Sequence, residues 1–297
     1  MDLSSFAEAV GTTGPVSITG LGTRGGQVPG CKVVAAPSGI VDYNPAEMTL
    51  RCGAGTPLDE VFDALTAAGQ MVALAPGGTI GGALATAASD LRRLGRGPAR
   101  DALLQARIVT ADGLIAKAGG PTVKNVSGFD LCRLLVGSHG ALGFFGDVIV
   151  RTRPEPAVSR WFAGTADPDH VRGRLYRPAA VLWDGRTTWV CLEGHPTDVA
   201  DQAALVGLPE VDGPPSLPPY AWSVPMPELR RMMAEVTSPA VAEFGVGTIH
   251  ASVPQPARPV DPAVFELHRS LAATFDPTGR LNPGRFPLLL LLDGVTS

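Results

Sequence analysis

Apolar positions alternate with polar ones in short runs through the first third of the chain, and Gly/Pro turns separate the runs. "VSITG", "KVVAA" and "MTLRCGAG" therefore read as strands. The period changes at "TPLDEVFDALTAAG", where Leu58, Val61, Phe62 and Leu65 fall on one face at helical spacing and read as core. Thr56 is the expected N-cap of this helix, Pro57 its first residue and Gly69 its stop. "APGGTIGGALATAASD" follows, two glycine pairs running into the helix-forming "ALATAAS". "ALLQARIVTADGLIAKAG" predicts a hairpin turning at Asp112-Gly113, the dipeptide of two-residue loops. "FFGDVIVRTRP" is a strand, and Pro154-Glu155-Pro156 ends it as a hinge between domains. Beyond the hinge, "AAVLWDGRTTWVCLEG" predicts a second hairpin at Asp184-Gly185, and "LPEVDGPPSLPPY" an irregular loop. "MPELRRMMAEV" reads as a helix, "EFGVGTIHASV" as a strand, and "DPAVFELHRSLAATFDPTG" as a closing helix stopped by Pro277 and Gly279.

Composition changes this picture little. The chain has 297 residues with 45% hydrophobic and 18% charged side chains, which fits a globular protein of one large or two ordinary domains. A net charge of −4 removes any broad electrostatic case for nucleic acid. Arg92, Arg93, Arg96 and Arg100 cluster locally; a solvated loop is preferred there over an anion or partner contact. Cys31, Cys52, Cys132 and Cys191 stand far apart with no C-x-x-C pair, so neither a structural zinc site nor an iron–sulfur cluster is written in the chain. "MDLSSFAEAV" lacks the basic start and apolar run of an export signal, and Leu288 to Leu292 is too short an aliphatic run to span a bilayer. A cytoplasmic location is expected.

The candidate chemistry lies in glycine. "ITGLGTRGG" places Gly20, Gly22 and Gly25 in G-x-G-x-x-G spacing, the fingerprint of a Rossmann turn. That reading requires a helix to open at the third glycine. "GQVPGCKVVAAPSGIV" follows instead, where Pro29 and Gly30 break any helix, so no helix end can carry a pyrophosphate. A tight glycine loop with free backbone amides remains.

Four segments in order carry a resemblance. They are "TGLGTR", "SGIVDYNPAEMTLRCGAGTPLDEVFDALTAAGQMVALAP" with "GGTIGGALAT", then "VKNVSGFDLCRLLVGSHGALGFFGDVIVRTRP", and finally "FDPTGRLNPGRF". Together they resemble the PCMH-type FAD-binding domain of the vanillyl-alcohol-oxidase superfamily, and within it the FAD-binding subunits of glycolate oxidase. The likeness runs from about Ser17 to Phe286. It implies an α+β FAD-binding domain over residues 1–156, a small α/β domain over 157–257, and a helix and Asn-Pro-Gly tail over 258–297 that returns to the flavin. Thr19, Gly20, Leu21, Gly22, Thr23 and Arg24 match the first pyrophosphate loop, an anion nest of backbone amides. Pro76, Gly77, Gly78, Thr79, Ile80, Gly81 and Gly82 match the second loop, where glycines leave room for a flat ring system. Asn282 and Arg285 match the tail at the flavin edge. Lys124, Asn125, Gly128 and Asp130 match a motif that braces the domain, Asp130 being favoured as structural.

The departures bear on function. Where many superfamily members bond flavin covalently through a histidine in the first loop, this chain has "GLGTRGG", so the expected FAD is non-covalent. Ala88-Ser89-Asp90 stands where the family carries a Ser-Gly or similar small pair. The metal-holding histidine run of the family's catalytic subunits is missing from the sequence. His139, His170, His195, His250 and His268 show no ligand spacing, and His250 reads as a satisfied core histidine. No metal site and no catalytic residue is therefore assigned. The resemblance implies an FAD-carrying redox subunit of a glycolate or D-lactate (2-hydroxy acid) oxidoreductase complex. Its partners would be a larger FAD-containing catalytic subunit and an iron–sulfur subunit, through which it would also meet a membrane. The alternative is a non-catalytic scaffold with weak or absent FAD binding; an independent oxidase is least favoured.

Overall fold

The computed structural model describes residues 1–121, 130–257 and 259–287. Lys124, Asn125, Gly128 and the Leu288 to Leu292 run lie outside the described residues. The chain divides into two compact units. One comprises Met1–Asp90, Pro98–Glu155 and the residues from 259 to 287; the other comprises Leu91–Gly97 and Pro156–Ala257. Leu91–Gly97, which a single boundary at 156 leaves in the first domain, thus belongs to the second unit.

In the first unit, β1 (Val16–Thr19) and β2 (Lys32–Ala35) pair in parallel, and the residues between them form no helix. The Rossmann reading fails in the structure for the reason it fails in the sequence. β3 (Ile40–Asn44), β4 (Thr49–Gly53), β5 (Gln70–Met71), β6 (Leu103–Val109), β7 (Ile115–Gly119), β8 (Phe144–Arg151) and β9 (Arg153–Pro154) follow. Five of these make an antiparallel sheet in the order β3-β4-β8-β6-β7, while β5 pairs with β9. Helix Leu58–Thr66 buries Leu58, Val61 and Leu65 in the same core as Leu50 and Cys52 of β4 and Val148 and Val150 of β8. Each such aliphatic side chain contributes about 2 kcal/mol of burial. Burial also pushes the Cys52 thiol up to about 12, which leaves it inert.

β8 lies between two neighbours and is buried along nearly its whole length, so its sequence is a continuous apolar run broken by Asp147. Asp147 is admitted because Arg107 on β6 and Arg51 on β4 both reach it, Arg107 Nε at 2.8 Å and Arg51 Nη2 at 2.7 Å. Burial raises its pKa, but the hydrogen bonds from Arg107 and then Arg51 outweigh it and hold the carboxyl below its usual range.

The second unit is built on an antiparallel sheet of β10 (Val158–Gly164), β11 (Ala180–Trp183), β12 (Thr188–Gly194), β13 (Glu210–Val211), β14 (Tyr220–Ser223), β15 (Ala240–Glu243) and β16 (Thr248–Ala251). Their order is β13-β10-β12-β11-β15-β16-β14. Arg96 donates to Glu193 of β12 through Nη2 at 2.6 Å and Nε at 2.9 Å, and Arg92 Nε stands 3.1 Å from the same carboxylate. These two arginines are therefore not the solvated loop the sequence suggested. They fasten Leu91–Gly97 to the second unit.

Other expectations need correction. Thr56 does not cap its helix: Pro57 holds that position, and the Thr56 hydroxyl donates to Gly53 O and accepts from Gly39 N. The hairpin at Asp112-Gly113 has a three-residue tip, because Thr110 and Leu114 still pair at 3.0 Å. "EFGVGTIHASV" holds the end of β15, a turn and β16, so it is half of a hairpin and not one strand. "LPEVDGPPSLPPY" contains the short β13 and leads into β14. Helices Ser4–Val10, Pro168–Arg174 and Pro196–Val206 were not foreseen. The last two start at Pro behind Asp167 and His195, whose side chains accept from His170 N and Thr197 N. His250 is satisfied in the core by Glu243, Nε2 to Oε1 at 2.8 Å. Asp130 is structural, capping helix Leu131–Leu135 by accepting from Arg133 N at 3.2 Å.

Candidate functional site

The two glycine loops and the C-terminal tail meet within the first unit around a cleft of about 790 Å³, open mouth included. Its wall includes Thr19, Gly20, Leu21, Gly22, Thr23 and Arg24 of the first loop, Thr79, Gly81 and Gly82 of the second, and Asn282 and Arg285 of the tail. Pro76, Gly77, Gly78 and Ile80 do not line it. Ile80 is fully buried in the core, and its neighbours serve the loop's shape. Gly77 and Gly78 adopt left-handed φ of 79° and 71°, and a side chain on Gly78 would collide with Thr23 and Arg24.

The first loop is held at its edges and open along its length. Arg24 reaches across to the second loop and donates to the carbonyls of Gly77 at 2.5 Å and of Ala75 and Pro76 at 3.1 Å. Its charge is thus engaged by backbone, and Arg24 clamps the two loops together. Arg285 does the same from the tail, donating to Gly25 O. Gly20 sits against Thr79, where a Cβ would come within 2.9 Å of the threonine side chain. Between these pins, no backbone amide from residue 20 to residue 26 donates to another described residue.

The second loop is the opposite. It opens helix Ile80–Ala85, yet the first amides of that helix are already used. Ile80 N donates to Thr56 O, Gly81 N to Ala54 O, and Gly82 N to the capping hydroxyl of Thr79 at 3.1 Å. Gly81 is needed for close packing, since a Cβ there would stand 2.7 Å from Ala54 O. What it offers the cleft is a flat backbone surface. Ala88-Ser89-Asp90 does not line the cleft; Ser89 Oγ accepts from Ala99 N at 3.0 Å.

The tail is placed by a residue that sequence reasoning passed over. Arg280, 5% exposed, donates to the carbonyls of Val10 at 2.7 Å, Ala111 and Gly14 at 2.9 Å, and Gly11 at 3.1 Å. Asp276 accepts from Leu281 N at 2.7 Å, and Asn282 N donates to Val16 O at 2.9 Å. The Asn282 side chain then joins two cleft walls: its Oδ1 accepts from Ile18 N at 3.0 Å, and its Nδ2 donates to His139 O at 2.8 Å. Asn282 therefore lines the cleft as a brace. The only hint in the sequence was the Asp-Pro-Thr-Gly-Arg run, which repeats no general motif.

These residues fit an anionic cofactor with a flat ring system. Unpartnered amides along a glycine loop suit phosphate oxygens, and side-chain-free backbone at Gly81 and Gly82 suits stacking. Among the described residues, no aspartate, glutamate, lysine or cysteine lines the cleft, and no group of His, Cys, Asp and Glu could hold a metal. Nor, among them, is any helix long and apolar enough to cross a membrane.

Comparison with known proteins agrees with this geometry. Residues 14–119 match the FAD binding domain family, so both glycine loops fall inside the match. The chain is 29% identical to glycolate oxidase subunit GlcE of Escherichia coli, over 83% of this chain and 84% of that protein. It is 35% identical to a D-lactate dehydrogenase of Archaeoglobus fulgidus over 46% of this chain, which spans only 32% of that protein. Among solved structures, an alkyldihydroxyacetonephosphate synthase matches with a TM-score of 0.64 at 13% identity, over 91% of this chain and 71% of that one, which speaks to the fold alone. The α+β FAD-binding fold and FAD as the cofactor are thereby upheld.

Proposed function

We propose that this chain, which carries a PCMH-type FAD binding domain over residues 14–119, is the FAD-binding subunit of a 2-hydroxy-acid oxidoreductase complex acting on glycolate or D-lactate. The observation that carries the reading is the meeting of both glycine loops and the tail on one cleft, with the amides of residues 20–26 unpartnered among the described residues. When bound, FAD would supply hydride and electron transfer. The chain's own residues have other tasks. The first loop would hold the pyrophosphate through its amides, Gly81 and Gly82 would present flat backbone to the ring system, and Arg24 and Arg285 would fix the loop they grip. With no covalent histidine in the first loop, the FAD is dissociable.

Among the described residues, the cleft wall offers no carboxylate or lysine to take the hydroxyl proton of a 2-hydroxy acid. Substrate chemistry is accordingly assigned to a partner, a larger FAD-containing subunit, with an iron–sulfur subunit to carry electrons onward. The relation to a protein named as a glycolate oxidase subunit supports this division of labour. One observation favours the scaffold alternative: Arg24, Arg285 and the first amides of helix Ile80–Ala85 are all engaged within the protein. The visible absorption spectrum of the purified chain, before and after denaturation, separates the two. A two-banded flavin spectrum with release of flavin into the supernatant is expected. A chain that stays colourless after incubation with FAD would leave only the scaffold.

A further inference from the structure

His139 lies on the cleft wall in a turn built to present it. Its φ is 52°, in the left-handed region that a residue with a Cβ enters only when held there, and Gly137 and Gly140 beside it have φ of 83° and 76°. Two hydrogen bonds hold the backbone: His139 N donates to Ala85 O at 2.8 Å, and its carbonyl accepts from Asn282 at 2.8 Å. A side chain on Gly140 would stand 2.7 Å from that same Asn282 amide. The backbone is thus fixed on both sides, while the imidazole hydrogen-bonds no described residue.

Among the described residues, the charged side chains of the cleft wall have one sign. The tail contributes Arg285 and the first loop contributes Arg24; helix Ile80–Ala85 and β8 contribute only Gly81, Gly82, Ala85, Phe144 and Phe145 to the wall. Among the described residues, His139 is therefore the one cleft-lining side chain of a type that titrates near neutral pH. Burial, and secondarily the Arg285 guanidinium, push it below its ordinary value, so the free imidazole is neutral at pH 7.

Resting on the reading of this cleft as a cofactor site, we infer that His139 is a proton-coupled anion contact, neutral in the free protein and protonated when the pyrophosphate of FAD enters. A dianionic group beside the ring reverses the local field that Arg285 and burial create. The proton is drawn from solvent, and the imidazolium then donates to a phosphate oxygen. Cofactor binding thereby takes up a proton, and by linkage affinity strengthens as pH falls through the imidazole range. This role is one of binding and makes no demand on turnover.

The test is equilibrium binding of FAD to the full chain, followed by flavin fluorescence across about pH 5 to 8. Titration calorimetry in two buffers of different ionisation enthalpy counts the protons. The wild-type protein is expected to take up close to one proton at neutral pH, with affinity weakening by up to about tenfold per pH unit on the alkaline side. His139→Asn, which tolerates the left-handed backbone but cannot titrate, should bind more weakly with no proton uptake and a flat profile. Wild-type binding that is independent of pH with no proton uptake overturns the inference while leaving the FAD reading intact. So does an Asn variant that keeps the wild-type profile. No FAD binding at any pH overturns the FAD reading and the inference with it. If the Asn variant does not fold, the wild-type proton count decides alone.

Discussion

Two loops of nearly the same composition border the cleft and work by opposite means. Residues 20–26 are mostly exposed, their amides donate to no described residue, and they are pinned by Arg285 on Gly25 and by their own Arg24 reaching out to Gly77. Residues 76–82 are more closely packed, and the amides of Ile80, Gly81 and Gly82 all donate within the protein. Gly22 of the first loop serves conformation, with φ of 71° and open space where a side chain would sit. Gly81 of the second serves contact, pressing on Ala54 at a backbone angle that any residue could adopt. A glycine-rich segment therefore announces an unusual backbone without saying whether ligand or protein occupies the space beside it. Only the destination of the amides tells the two apart.

The comparison breaks most severely if the tail is released, because the tail holds one end of the first loop and none of the second. Arg280→Met leaves the buried carbonyls of Val10 and Ala111, and the part-buried ones of Gly11 and Gly14, without their donor. A loss of about 3 kcal/mol in urea-unfolding stability is expected, together with loss of FAD binding. An unchanged unfolding midpoint would mean that the carbonyls find other donors and that the tail is held elsewhere.

Gly81→Val should come next. The added Cβ meets backbone that cannot turn aside, so overpacking costs about 2 kcal/mol or more. Stability and FAD affinity should fall together, as they must if this loop is part of the core. Arg24→Met separates them further, removing three donors that tie the loops together while leaving both backbones free of clashes. About 2 kcal/mol of stability is expected to go, and Arg24→Lys should not restore it, because a single ammonium cannot span three carbonyls in the fork that guanidinium provides. Rescue by lysine would make Arg24 a simple charge and not a clamp.

Much of this fold was legible before the structure, and the physical reason is periodicity. The helix over Leu58–Thr66 and the strands of the first sheet follow from apolar spacing, and the missing helix after Gly25 followed from Pro29 and Gly30. What stayed hidden depends on distant partners. Thr56 has every local mark of an N-cap, yet its hydroxyl serves Gly39 and Gly53. Arg92 and Arg96 read as a solvated cluster because Glu193, the carboxylate they grip, lies about a hundred residues away in sequence. The contacts of the site residues stayed hidden for the same reason. Arg24, Asn282 and Arg285 line the cleft as expected, but their polar atoms reach backbone groups whose nearness no sequence spacing reveals.

The smallest expected effect is the most discriminating. Gly22→Ala adds a methyl group into open space, so it creates no clash, and its whole cost is the left-handed backbone, about 1 kcal/mol. Because the loop is exposed and its amides are unpartnered, the chain can relieve that strain by turning the peptide away, and the unfolding midpoint should hardly move. Turning the peptide also turns the amides, so FAD affinity should fall by far more than stability does. Gly22→Asn sharpens the point, since asparagine enters the left-handed region at little cost and should bind FAD better than the smaller alanine. If alanine and asparagine weaken binding in order of their size, the first loop is limited by space like the second, and the contrast between them is gone. If asparagine binds better than alanine at equal stability, conformation alone sets the first loop's affinity, and its amides are what the cofactor meets.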